Sequence, residues 1–114
     1  MYNSRSKAII FIGRSIDAIR AFPVGVRREA GFQLNKVQLG FEPTDWKSLK
    51  AVGAGAREIR LGDESGIYRV IYVAKFEEVV YVLHAFSKKT RKTSKLDIEA
   101  GGVAYRKMIE ALGK

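Results

Sequence analysis

From Arg57 onward the chain runs in short apolar bursts. REIRL, GIYRVIYVAK and VVYVLHAF are rich in β-branched and aromatic residues, with turn-sized polar gaps at Gly62 to Gly66 and Lys75 to Glu78. That pattern predicts three consecutive antiparallel strands, a meander. Upstream, Lys7-Ala8-Ile9-Ile10-Phe11-Ile12 ended by Gly13 predicts a first strand. Ser15 is placed to cap a short helix through Ile16, Ala18, Ile19 and Phe22. Pro23 ends it, because proline disfavours a helical conformation in the residue before it. Val26, Ala30, Leu34 and Val37 then recur at spacings of four, four and three, the stripe of a second helix from about Pro23 toward Leu39. Gly40 is its stop. Phe41 to Ala56, with Pro43 and Gly53-Ala54-Gly55, reads as a loop anchored to the core by Trp46 and Leu49. After the last strand, Ser94 to Asp97 has the form of a variant capping box. Leu96, Ala100, Val103, Ala104, Met108 and Ala111 continue as a helical stripe, which Gly101-Gly102 weakens by about 2 kcal/mol relative to two alanines.

The order β-α-α-β-β-β-α predicts an α+β fold: a small antiparallel sheet packed by two N-terminal helices, the opposite face partly open as a working surface. At 114 residues it is one domain, spanning 1–114, with enough chain for a modest core. Charge adds more to the picture than length does. Against 12 acids stand 21 lysines and arginines, a formal +9 with a sequence pI near 10.0. Such a surplus favours an anionic partner: nucleic acid, an anionic membrane or an acidic protein. With no cysteine and one histidine, thiolate and histidine-cluster metal sites are excluded, and no metal or cofactor is expected. No apolar run is long enough to span a bilayer, and Ala8 to Ile12 is too short for a signal-peptide core. The expected location is the cytoplasm.

The candidate chemistry lies in the meander and just beyond it. Arg60 and Arg69 sit inside strands where an apolar residue is the default. Arg69 shares a face with Ile67, Ile71 and Val73 by alternation. Two readings stand for it: a structural ion pair with Glu58 or a side chain snorkelling to the sheet rim, and a phosphate ligand, whose geometry the guanidinium fork matches. Arg60 on the preceding strand moves the balance toward phosphate. The basic run Lys88, Lys89, Arg91, Lys92 and Lys95 is either a solvated connection or, starting where the last strand leaves the sheet, part of an anion site. Phe86 is read as core in preference to a stacking platform. His84 is read first as a hydrogen-bonded strand histidine. It is kept as a proton-transfer candidate because its unperturbed pKa suits that role near neutral pH. Neither a nucleophile–base triad nor a carboxylate pair can be assembled, and GAGA lacks the P-loop lysine. RNA cleavage without metal remains open, since the ribose 2′-hydroxyl can attack the neighbouring phosphate while fixed cations spread the developing charge.

DWKSLKAVGAGAREIRL, GIYRVIYVAKFEEVVYVLHAFSKKTRKT and, more weakly, AIRAFPVGVRREAGFQL resemble the phage-derived Gp49-like (HigB-like) branch of the RelE/ParE toxin superfamily. The resemblance covers most of the chain. It implies two helices packed on a small antiparallel sheet, and a toxin of a type II toxin–antitoxin pair. RelE- and HigB-type relatives cut mRNA in the ribosomal A site without metal, so it implies a ribosome-dependent endoribonuclease with ribosome and mRNA as partners. A small helix-turn-helix antitoxin would neutralise it, with a higher-order complex on operator DNA. Carried over by position, the active-site cations fall on Arg60, Arg69 and Lys88 or Lys89. Arg57, Arg91, Lys92 and Lys95 are read beside them as RNA or ribosome contacts. The tyrosine that some relatives place after the last strand has no match in SKKTRKTSK, which leaves His84 or a lysine for proton transfer. ParE-type members of the superfamily inhibit DNA gyrase instead, and a basic RNA-binding module without catalysis is the third alternative.

Overall fold

The apolar stripes find their partners across a central sheet. A computed structural model describes residues 6–90 and 92–113, so Arg91 lies outside the described residues. The elements are β1 (Ala8–Phe11), α1 (Ser15–Arg20), α2 (Val24–Gln38), β2 (Trp46–Ser48), β3 (Ala56–Asp63), β4 (Gly66–Val73), β5 (Val79–Lys88) and α3 (Lys95–Gly113). The fold is α+β, as the element order predicts. The sheet is mixed, however: its order is β1-β5-β4-β3-β2, and β1 runs parallel to β5 while the other pairs are antiparallel. A parallel partner requires a crossover, and α1, α2 and the antiparallel strands β2 to β4 make up the chain between the two.

One face of the sheet, with Ile59, Leu61, Val70, Tyr72 and Val82, packs under α1 and α2. All four residues of the α2 stripe are buried there, Ala30 completely. Ser15 does not cap α1. It is buried as the first helical residue, and its hydroxyl donates to the Val82 carbonyl at 3.2 Å, tying the helix to β5 instead.

The opposite face is less open than the two-helix arrangement suggests. Leu49, Val52, Ile71, Val73, Tyr81 and Leu83 form a second core cluster, closed by Ala104 and Met108 of α3. The stripe assigned to α3 therefore needs correction. Ala104 and Met108 are buried as expected, but Leu96 is 77% and Val103 45% exposed. The contact surface runs through Gly101 instead, where a Cβ would stand 3.0 Å from Val52 Cγ2 and 3.3 Å from Ile71 Cδ1. The glycine lets the helix lie close on the sheet. The cap itself is present: the Asp97 amide donates to Ser94 Oγ at 3.1 Å.

The expected loop between Phe41 and Ala56 contains the short strand β2, paired with β3 through Trp46↔Ile59, Lys47↔Glu58 and Ser48↔Arg57. Leu49 is buried as an anchor, whereas Trp46 is half-buried beneath the Arg57 guanidinium, 4.0 Å from its ring centroid. Among the described residues, no helix is long and apolar enough to cross a membrane.

Candidate functional site

Strand alternation brings charges from four neighbouring strands onto the α3 side of the sheet. Arg60 stands directly opposite Arg69, Lys47 opposite Glu58, and Lys88 opposite Ile67, the residue two before Arg69 on the same face. Two arginines facing each other repel, so something must offset them. Arg60 Nε lies 3.8 Å from Asp45 Oδ1, and Arg69 Nε lies 3.8 Å from Glu58 Oε1. Glu58 has no exposed surface. Its Oε1 is also 3.7 Å from Lys47 Nζ, and its Oε2 accepts the Thr93 hydroxyl at 2.6 Å.

Arg69 is itself only 5% exposed. Its Nη1 donates to the Tyr68 carbonyl at 2.8 Å and to the Leu61 carbonyl at 3.3 Å. Among the described residues Nη2 has no hydrogen-bond partner. A depression of about 270 Å³ opens here, lined by Asp45, Arg60, Leu61, Gly62, Ile67 and Arg69. The two readings of Arg69 are thus compatible, since the ion pair holds one side of the guanidinium and leaves another side free to donate.

Burial pulls the Arg69 pKa below the usual arginine value, opposed by Glu58 and reinforced by Arg60. Lys88 is pushed below the ordinary lysine value by burial first and then by Arg69, with Glu58 acting the other way. A lysine shifted in this direction gives up its proton more readily.

The two lysines at the end of β5 differ in burial. Lys88 lies partly buried in the cluster, and Lys89 is exposed beyond it, as are Lys92 and Lys95. The described residues between Lys89 and Lys95 form a strap over the face. Thr93 is pinned to Glu58 on β3, and α3 then returns to β5, where Asp97 Oδ1 meets His84 Nε2 at 2.9 Å. Asp97 Oδ2 also accepts the Ser94 hydroxyl at 2.6 Å.

His84 is not brought to the cations. Its ring stacks on Phe86 with centroids 5.1 Å apart, and its Nε2 is engaged by α3, so its geometry is that of a hydrogen-bonded strand histidine. Phe86 is 8% exposed, a core residue. Arg57 is also separate. It pairs with Tyr72 across the strands, on the α1 and α2 face, and its Nη1 lies 3.8 Å from Glu42 Oε2.

Lys47 and Thr93 were not singled out from the sequence. Lys47 lies in a strand too short to show a period, and Thr93, one of two threonines in a basic run, carries no signal. Glu58 had one: it lies two residues before Arg60 on the same strand face. Among the described residues, no group of three or more His, Cys, Asp and Glu side chains converges as a metal site.

A family model described as "Phage derived protein Gp49-like" matches residues 17–106. No curated protein matches the chain by sequence. Among solved structures the fold is similar to that of a mutant of the E. coli toxin RelE in the free state. That similarity has a TM-score of 0.60 at 18% identity, covering 88% of this chain and 97% of the other.

Proposed function

Because the protein belongs to the phage-derived Gp49-like family of RelE/HigB-like toxins, we propose that it is the toxin of a type II toxin–antitoxin pair and acts as a ribosome-dependent mRNA endoribonuclease that needs no metal. The observation that supports this reading best is the Arg60–Arg69 pair, set across two strands beside Lys88, with both arginines lining an open depression. Surface lysines would suffice to coat RNA. Guanidinium groups fixed inside a sheet suit a charge that develops at one place.

In the proposed reaction the 2′-oxygen attacks the adjacent phosphorus and the bond to the 5′-oxygen breaks. Arg69 and Arg60 hold the phosphoryl oxygens as negative charge builds on them. Lys88 supplies the proton that the departing 5′-oxygen takes up, and the 2′-hydroxyl proton leaves to solvent. Among the described residues no strong base adjoins the cluster, so free RNA is a poor substrate and the ribosome supplies the alignment of 2′-hydroxyl and phosphate. The partner that holds the toxin in check is an antitoxin, and we propose a small helix-turn-helix protein in that role.

Induction in a bacterial host tests the reading. Translation is expected to stop within minutes, with mRNAs cut inside coding regions and only where ribosomes are translating. The same cuts are expected in chelator on pre-formed ribosome complexes. Transcript ends and plasmid supercoiling are measured side by side. Intact transcripts with altered supercoiling would reject the nuclease and favour a ParE-like gyrase inhibitor.

A further inference from the structure

The cations suit a phosphate, but Glu58 does not. A carboxylate with no exposed surface, set among them, opposes the ligand's charge, and burying it is costly unless its geometry repays the cost. That geometry is specific. Oε2 accepts the Thr93 hydroxyl at 2.6 Å, while Oε1 faces Arg69 Nε at 3.8 Å and Lys47 Nζ at 3.7 Å. Among the described residues, Glu58 Oε1 and Arg69 Nε are both buried without a hydrogen-bond partner; Oε1 faces two cations, Arg69 and Lys47, and Arg69 Nε faces Oε1. Arg69 Nη1 is taken up by two carbonyls. Two sides of the guanidinium are set by the protein, and the third is left for a ligand.

We propose that Glu58 is a positioning residue: its carboxylate orients the Arg69 guanidinium and, through Thr93, the basic strap, so that Arg69 Nη2 points into the depression as the donor for a phosphoryl oxygen. The identity of that phosphate as mRNA backbone rests on the function proposed above; the orientation of Arg69 does not. Without the carboxylate, Arg69 keeps its charge but not its direction. A loosely held arginine still swings to meet a bound phosphate, so ground-state binding survives. The transition state loses a donor already in place, and the rate falls.

Glu58→Gln tests this, because it keeps the size and an acceptor for Thr93 while removing the charge. On ribosomes translating a defined mRNA, kcat is expected to fall about 10- to 100-fold, at or below the range for losing a transition-state donor outright. KM is expected to hold, and a 2′-O-methyl oligoribonucleotide to bind as tightly as before or tighter. The Arg69 Nε–H resonance, which burial should protect from solvent exchange in the unaltered protein, should become labile. Glu58→Asp, charged but shorter, should recover part of kcat. Unchanged kcat in Glu58→Gln would overturn the proposal, as would a rise in kcat with tighter oligonucleotide binding, which would make the carboxylate a simple opponent of the ligand. Should Glu58→Gln fail to fold, Thr93→Val replaces it. Loss of that tether should lower kcat at constant KM, and an unaltered kcat would count against the proposal. If the unaltered protein cuts no mRNA, the nuclease reading falls, and the Arg69 resonance alone decides. Lost protection in Glu58→Gln supports positioning, and retained protection rejects it.

Discussion

Arg69 shows how one side chain serves stability and chemistry together. Its guanidinium is nearly buried and answers a carboxylate that is wholly so, which makes it a poor candidate for clean deletion. Removing one partner of a buried pair typically costs about 3–5 kcal/mol, because the other charge is left without compensation. Arg69→Met should therefore lower the melting temperature markedly. Adding Glu58→Gln should restore part of the loss, with a coupling on the order of 0.5–3 kcal/mol for groups in direct contact. Thermal melts of the four combinations measure it. Strict additivity would mean that the two side chains do not sense each other across 3.8 Å. The cycle also governs how activity data are read, since a single alanine at position 69 confounds lost chemistry with lost fold.

At the scale of elements, a bulge on β5 and a glycine on α3 shape the site. The register of β4 with β5 steps from Ile71↔His84 to Tyr72↔Val82, leaving Leu83 as an extra residue. Unbroken alternation would place His84 with Val82, facing α1 and α2. The bulge turns it to the other face, where Asp97 of α3 meets it. That contact and the Thr93 tether seat the start of α3, and Gly101 seats its middle. The neighbouring glycines should therefore respond oppositely to substitution. At Gly102 a Cβ meets only Arg106 Nη1 at 3.8 Å, so Gly102→Ala should gain about 1 kcal/mol from helix propensity. At Gly101 the contacts at 3.0 and 3.3 Å offset that gain, and Gly101→Leu should cost at least about 1–3 kcal/mol by overpacking. Denaturant midpoints of the two variants decide. A stabilising Gly101→Leu would mean that α3 does not lie as closely on the sheet as described.

At the scale of the whole molecule, the cations in and beyond the candidate site divide into two populations. Arg60, Arg69 and Lys88 are built into the sheet face, while Lys89, Lys92 and Lys95 stand exposed along the strap and the start of α3. The exposed ones suit long-range attraction and backbone contact, which salt screens. Lys89→Gln with Lys92→Gln should weaken binding to single-stranded RNA and flatten its logarithmic salt dependence by about 0.7 per lost contact. The rate on bound substrate should stay the same. Binding isotherms at several ionic strengths provide the slope. If it is unchanged, the strap is a solvated connector and the sheet cations carry the electrostatics alone.

Periodicity was sufficient for the meander, for the α2 stripe and for the shared face of Ile67, Arg69 and Ile71, because a half-buried strand or helix must repeat its apolar positions. The resemblance carried by REIRL, GIYRVIYVAK and HAFSKKTRKT was equally legible, and the family match bears it out. Other features depended on contacts between distant segments. β2 is three residues long and exists because β3 offers it an edge. The parallel placement of β1 depends on a crossover that local pattern does not describe. The α3 surface was misjudged because Leu96 and Val103 are apolar yet exposed, whereas Gly101 has no side chain to advertise its burial. In the candidate site, alternation placed the arginines, but it could not show that Arg69 is held by Glu58 with one side open. That geometry arises only where a strap closed from position 93 meets a strand at position 58. Such closure is a property of the folded chain, since no local run of residues contains both ends of it.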